Sequence, residues 1–305
     1  MISESEDTKN PRLTVVVPIT LMSGRLFNLE EWLHLAIKLP IQVLIIHDVR
    51  DVATSEELAA LVNELNSRNI EIVEGLYGNP GSARNQGIIR ARGEWISFWD
   101  SDDSPCVDLV MLEIENSPIT TDVIVGAFTV FDEAKGVNSE SYTASNPREI
   151  AMNPGVWRMI FRTTSIEKFR FPSLRMAEDQ VFLSKILFAE LQIRYTSRTL
   201  YKYYVGNSAQ LTNSKDALAD LPRAILETGI RNQTVELNQL KFDMFLIARQ
   251  MLTSFAKART AVKIAAIVAI LRVSRRNSLI AIKYLSQSIL YILLRKTGWK
   301  TNERE

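Results

Sequence analysis

The sequence has one cysteine in 305 residues. That residue, Cys106, excludes an internal disulfide and a cysteine-built zinc site, and it fits a reducing compartment. Internal repeats and low-complexity runs are absent. No stretch reaches the about 20 apolar residues needed to cross a bilayer, and IAAIVAIL at 264–271 is far too short. The N-terminus, MISESEDTKNPR, lacks an apolar core behind a basic start, so it reads as a flexible tail over 1–11 and not as a secretory signal. Acid is missing altogether from 257–300, which carries ten Lys and Arg. The formal net charge of +1 therefore hides an acidic body, with 25 basic and 33 acidic residues in 1–256, and a basic end. Such an end suits an anionic partner. Without a nucleic-acid-binding motif, and with an acidic body, nucleic acid is not that partner.

What is present is 46% hydrophobic residues with mixed charge, the composition of a folded protein. LTVVVPI (13–19), IQVLIIHD (41–48), IEIVEGL (70–76) and EWISFWD (94–100) read as strands, the first two without alternation and so buried on both faces. Between them, 29–39 and 55–69 have helical spacing, and GNPGSARNQGIIRARG (78–93) is a glycine-containing turn into a helix that stops at Gly93. Strands alternating with helices predict a parallel sheet covered on both sides, with ligands bound beyond the carboxyl ends of the strands. A helix and a strand follow over 104–130, then a polar loop at 132–149. Next come a strand and short helix at 157–169, a helix at 177–190 and an aromatic strand at 194–206. From about 216 onward the pattern is helical, with breaks at Pro222 and around 275–278.

Three places carry chemistry. Asp100, Asp102 and Asp103 follow the fourth strand. An Asp-x-Asp pair there can hold a hard divalent cation jointly with a substrate diphosphate, or it is a solvated acidic turn. Glu178 and Asp179 open a helix, where acids are favoured by the dipole and where Asp179 could also act as a general base. NPGSARN offers free N–H groups and Arg84 to an anion, or it is an ordinary capped helix start.

The order TVVVPIT, VLIIHD, GSARNQGIIRARGEWISFWDSDD, AEDQVFLSKIL resembles the family-2 glycosyltransferases, over roughly residues 12–210. The specific part is Ala83-Arg84-Asn85, Gly87, Ala91, Gly93-Glu94, Phe98 and Asp100-x-Asp102-Asp103. The resemblance implies an α/β protein of the GT-A fold, Rossmann-like, with a mostly parallel central sheet flanked by helices and a C-terminal helical extension. It implies a glycosyltransferase domain at 12–215, with a nucleotide-sugar half near 12–103 and an acceptor half near 104–215, followed by a basic helical region at 216–305. It also implies a metal-dependent inverting transfer from a nucleotide-diphosphate sugar, most often a UDP-sugar, to a glycan, lipid-linked or cell-surface polysaccharide acceptor. Pro18, Thr20, Asp48, Arg84 and Asp100 would bind the donor, and Asp102 would hold Mn²⁺ or Mg²⁺. Asp179 would be the base. Asp103, Glu178 and Lys202 are accessory candidates, and Lys202 or the 206–213 loop would close over the diphosphate.

Two departures stand out. The usual Asp-Asp-Gly-Ser ending of the second strand is here His47-Asp48-Val49-Arg50, which puts the donor preference in doubt and makes His47 either a ligand contact or a substituted pocket-edge residue. The segment after Thr20 is longer and more basic, with Arg25 either approaching a phosphate or standing in an exposed loop. The QxxRW pattern of processive synthases is absent, which favours single additions. A sugar nucleotidyltransferase would need a glycine-rich loop after the first strand, where only Gly24 stands. The alternative is a catalytically silent relative, a membrane-associated nucleotide-binding scaffold. Leu279, Ile282, Leu285, Ile289, Ile292 and Leu293 share a helix face. The region 257–300 therefore either lies on an anionic membrane from the cytoplasmic side or packs on the catalytic domain or a second subunit, leaving homo-oligomerisation open.

Overall fold

The computed structural model describes residues 11–206, 214–229, 236–276 and 279–296. The expected tail, apart from Pro11, and most of the 206–213 loop lie outside them. Contacts divide the chain into two compact units. The first draws on the chain up to Asn146, on Gly155–Ser173 and on the stretch from Ala189 through the aromatic strand. The second takes Pro147–Pro154, Leu174–Phe188 and the C-terminal helices, so Glu178 and Asp179 group with those helices.

The first unit begins β1 (Leu13–Ile19), α1 (Phe27–Ala36), β2 (Ile41–Asp48), α2 (Val52–Leu65), β3 (Ile70–Gly75), α3 (Pro80–Arg90) and β4 (Trp95–Phe98). β1 and β2 are buried almost throughout. The alternation of strand and helix gives the parallel order β3-β2-β1-β4 that it predicts. Beyond β4 come β5 (Ser104–Pro105), α4 (Val107–Glu115), β6 (Val123–Asp132), β7 (Val137–Asn138), β8 (Met159–Arg162), the short α6 (Thr163–Ile166, numbered after an α5 in the second unit) and β9 (Ile193–Val205). Here the sheet is mixed. β8 lies antiparallel between β4 and β6, and β6 and β9 are parallel. Two-residue β5 runs antiparallel to β9, a pairing too short for periodicity to reveal.

Close approach explains one glycine of the motif directly. A Cβ on Gly93, at the entry to β4, would lie 2.4 Å from the Thr14 backbone nitrogen and 2.6 Å from the Leu13 carbonyl carbon. Backbone in mid-sheet cannot yield, so Gly93→Ala is expected to lower stability by about 2 kcal/mol or more in denaturant titration. Trp32 of α1 packs edge-on against Trp99 at 5.1 Å, tying the helix layer to the end of β4. Glu113 of α4 is buried and accepts from Arg198 Nε at 2.8 Å and from Arg194, bolting α4 to β9.

The second unit contains α5 (Pro147–Met152), α7 (Glu178–Ile186), α8 (Leu221–Gly229), α9 (Leu237–Lys257), α10 (Thr260–Arg276) and α11 (Leu279–Lys296). Ile225, Met244, Ile247, Ala266, Ala269, Val273, Ala281 and Leu285 form one core across the last four helices. A second cluster joins Val181 of α7 to Leu221 and Ala224 of α8. Ser184 donates to the buried Asp243 at 2.6 Å, fastening α7 to α9. Pro222 sits in the first turn of α8, where a proline lacks no needed N–H, so it starts a helix there.

Candidate active site

β1, β2 and β4 end on one edge of the sheet, and the predicted donor residues of the first unit lie along it. After Phe98 the ladder continues for one more bond, from Trp99 N–H to Val16 O at 3.0 Å. The chain then turns through 100–103 into β5. Asn28 of α1 clamps this turn by donating to the Asp102 carbonyl at 2.7 Å.

The three aspartates have different fates. Asp103 is turned inward and wholly buried, and its Oδ1 accepts the Tyr204 N–H at 2.8 Å. Burial, then Asp100 and Asp102, push its carboxyl well above the usual range, while the Tyr201 hydroxyl helps to hold it. Tyr201, itself fully buried, accepts the Asp100 N–H at 3.0 Å and so fixes the turn to β9. Asp103 is thus a structural member of the cluster. Tyr201→Phe leaves the Asp100 N–H short of its partner and should cost about 1–3 kcal/mol of stability in thermal or urea unfolding.

Asp100 is half-buried and accepts from Arg84 Nη2 at 2.8 Å. Arg84 is buried on α3 with its guanidinium over the Phe171 ring at 5.6 Å. Asp102 is also half-buried, and burial first, then Asp100, pushes its carboxyl up to about 6. Arg25, in the β1–α1 loop, acts on it in the opposite sense. The Arg25 loop is anchored to α2 through Gly24 N–H and Glu57 at 2.8 Å, and Ser23 also bonds Glu57. This tethering was not readable from composition.

Other candidates have internal partners. Asp48 accepts from Arg50 Nε at 2.7 Å, Gly78 N–H at 2.9 Å and Tyr77 N–H at 3.1 Å. Arg50 above all holds its carboxyl well below the usual range. Asp48 therefore shapes the β3–α3 turn. The neighbouring His47 is wholly buried, with Nδ1 4.0 Å from Glu74; it is a packed residue and not an exposed contact. Pro18 is half-buried and Thr20 exposed at the end of β1. The NPGSARN turn is capped by Asn79, which accepts the Ser82 N–H at 2.8 Å. Lys202 places its ammonium over Phe131 at 4.5 Å and Tyr204 at 5.1 Å, on the strand that holds the acidic turn. In the second unit, Glu178 and Asp179 open α7 directly after Ala177, which has φ 63°. Arg249 of α9 is close enough to Asp179 to feel its charge.

Sequence reasoning named the acids but missed Tyr201 and Asn28 as their supports. The tyrosines at alternate positions 201 and 203 on one strand face were the available signal. Among the described residues no group of three His, Cys, Asp or Glu side chains is arranged to hold an ion by itself. The oxygen donors at the turn fit a hard cation whose remaining ligands come from phosphate.

The model of the family described as "Glycosyl transferase family 2" matches residues 25–180, just over half of the chain, including the acidic turn and Asp179. The chain belongs to this family. EpsH of Bacillus subtilis (strain 168), assigned as a glycosyltransferase, is 25% identical over 228 residues, 68% of this chain and 66% of EpsH. GlyA of Streptococcus pneumoniae is 22% identical over 222 residues, 64% of this chain but 30% of GlyA. The chain thus spans less than two thirds of the length of these relatives. Among solved structures, S. aureus TarS 1–349 with UDP-GlcNAc has a TM-score of 0.64 at 19% identity, covering 95% of this chain and 93% of that one. The mannosyltransferase PcManGT of Pyrobaculum calidifontis, solved with GDP-Man and Mn²⁺, gives 0.56 at 14% identity, covering 96% and 83%. These likenesses establish the fold, and this family-2 chain is a GT-A protein with C-terminal helices, as its sequence predicts.

Proposed function

We propose that the chain is an inverting, metal-dependent glycosyltransferase. It would take a sugar from a nucleotide-diphosphate donor, most simply a UDP-sugar, to a hydroxyl of a glycan or lipid-linked acceptor. The observation that carries the reading is Asp102, a half-buried carboxylate beside Asp100 at the carboxyl edge of parallel strands, whose charge burial and its neighbour disfavour. Such a group is stable as an anion once a cation sits against it.

Asp102, with Asp100 beside it, would hold Mn²⁺ or Mg²⁺. A bound ion of this kind neutralises charge on the departing nucleoside diphosphate. The chain's own residues do the rest. Arg84 orients Asp100, and Asn28 and Tyr201 hold the turn rigid. Pro18 and Thr20 line the nucleoside edge, with Asp48 setting the loop beside them. Arg25 and Lys202 add positive charge on the diphosphate side. Asp179 takes the proton of the acceptor hydroxyl as its oxygen bonds to the anomeric carbon, while the bond from that carbon to the diphosphate oxygen breaks. The base assignment rests on the AED motif, and the strained backbone at Ala177 supports a functional role for this helix start.

Incubation with a panel of UDP-sugars, Mn²⁺ and sugar or lipid-linked acceptors should give UDP release coupled to glycoside of inverted configuration. Binding of UDP with no turnover for any donor would instead favour the silent-scaffold reading.

A further inference from the structure

We infer that the outward faces of α10 and α11, each taken by itself, are docking surfaces for an anionic lipid headgroup layer. The inference does not rest on the transferase reading. It comes from which side of each helix the second unit's core consumes. α10 gives Ala266, Ala269 and Val273 to that core. On the opposite side Ile264, Ile267, Val268 and Leu271 follow one another at spacings of three, four and seven, and each is 41–57% exposed. A helix already packed on one apolar face has no need of a second one in water. α11 repeats the arrangement: Ala281 and Leu285 point into the core, whereas Leu279 is 85% and Leu290 58% exposed. The six apolar positions that share a face by spacing are thus split by the structure. Leu285, Ile289 and Ile292 turn toward the core, while Leu279, Ile282 and Leu293 are left outside.

The charge around these surfaces selects their partner. Arg272 of α10 and Lys283 of α11 are exposed, Lys257 is exposed at the end of α9, and no acid occurs anywhere in 257–300. A second copy presenting the same face would bring like charges together. A headgroup layer supplies what is missing on both counts: an acyl boundary for the aliphatic side chains and negative charge for the lysines and arginines. The helices would lie on the layer, since among the described residues no helix is long and apolar enough to cross a membrane.

Cosedimentation of the full chain with vesicles of phosphatidylcholine, with and without phosphatidylglycerol, tests this. The chain should partition onto the anionic vesicles, not onto phosphatidylcholine alone, and should be released as salt rises from about 0.1 M to about 1 M. The double variant Arg272→Gln/Lys283→Gln should weaken partitioning about 25-fold, from about fivefold per charge. Ile267→Ser/Leu271→Ser should weaken it by at least about tenfold, with far-UV dichroism and Tm unchanged. Ile264→Gln and Val268→Gln as single changes keep the test valid if the double variant fails to fold. Retained vesicle binding in folded variants would overturn the inference. So would absence of binding at low salt, or a concentration-dependent dimer abolished by Ile267→Ser/Leu271→Ser.

Discussion

Replacing Asp102 by alanine should reduce sugar transfer by about 10²–10³-fold, the usual effect of removing one group that stabilises developing charge, while leaving the protein at least as stable. The two effects have one origin. Burial and Asp100 raise the Asp102 carboxyl to about 6. A carboxyl whose folded pKa lies above its unfolded value favours folding only while protonated. Stability is therefore lost as pH rises through the window between about 4 and about 6, and in the ion-free protein at neutral pH Asp102 costs on the order of 2 kcal/mol. Alanine removes that cost along with the activity. Asp102→Asn should behave similarly, because the carbonyl held by Asn28 belongs to the backbone. The same raised pKa predicts a pH dependence for the metal. Below about 6 a proton competes for Asp102, so apparent Mn²⁺ affinity should fall about tenfold per pH unit. Titrations of the full chain at stepped pH read this directly; a flat profile from pH 7 to pH 5 would remove Asp102 from the ion.

Asp179→Asn should lower kcat by about 10²–10⁴-fold, the range for loss of a general base, with donor affinity close to wild type and only a small fall in Tm from the lost charge at the helix start and beside Arg249. Asparagine keeps the size of the side chain and its place in the first turn of α7, where the Asp179 carboxylate accepts the Gln180 N–H at 2.7 Å. A dipole-stabilising acid in that turn would give a different pattern, with Tm lowered and kcat hardly changed. Measuring kcat and Tm on the same preparation therefore distinguishes the base from the helix cap.

The parallel half of the fold was legible because β1 and β2 are continuous apolar runs and because helices of ordinary length separate them. The mixed half was less so. β8 is four residues long, β5 only two, and their pairing depends on tertiary partners that no local period reports. At the site, residue types and spacing found the acids but not their division of labour. Asp102 and Asp103 are neighbours in sequence with the same chemistry. One remains half-buried and the other is locked under β9, a difference decided by Tyr201 and Tyr204 about a hundred positions away. Asp48 illustrates the reverse case. Its position at the end of β2 was correct, yet Arg50, two residues on, occupies its carboxylate.

The most direct test is calorimetric titration of UDP into the full chain with and without Mn²⁺, for wild type and for Asp102→Ala. Joint coordination through Asp102 predicts that Mn²⁺ tightens UDP binding at least about tenfold in the wild type, the equivalent of one charge-assisted contact, and has almost no effect in the variant. Equal UDP affinity with and without the ion, or an undiminished Mn²⁺ effect in Asp102→Ala, would contradict it.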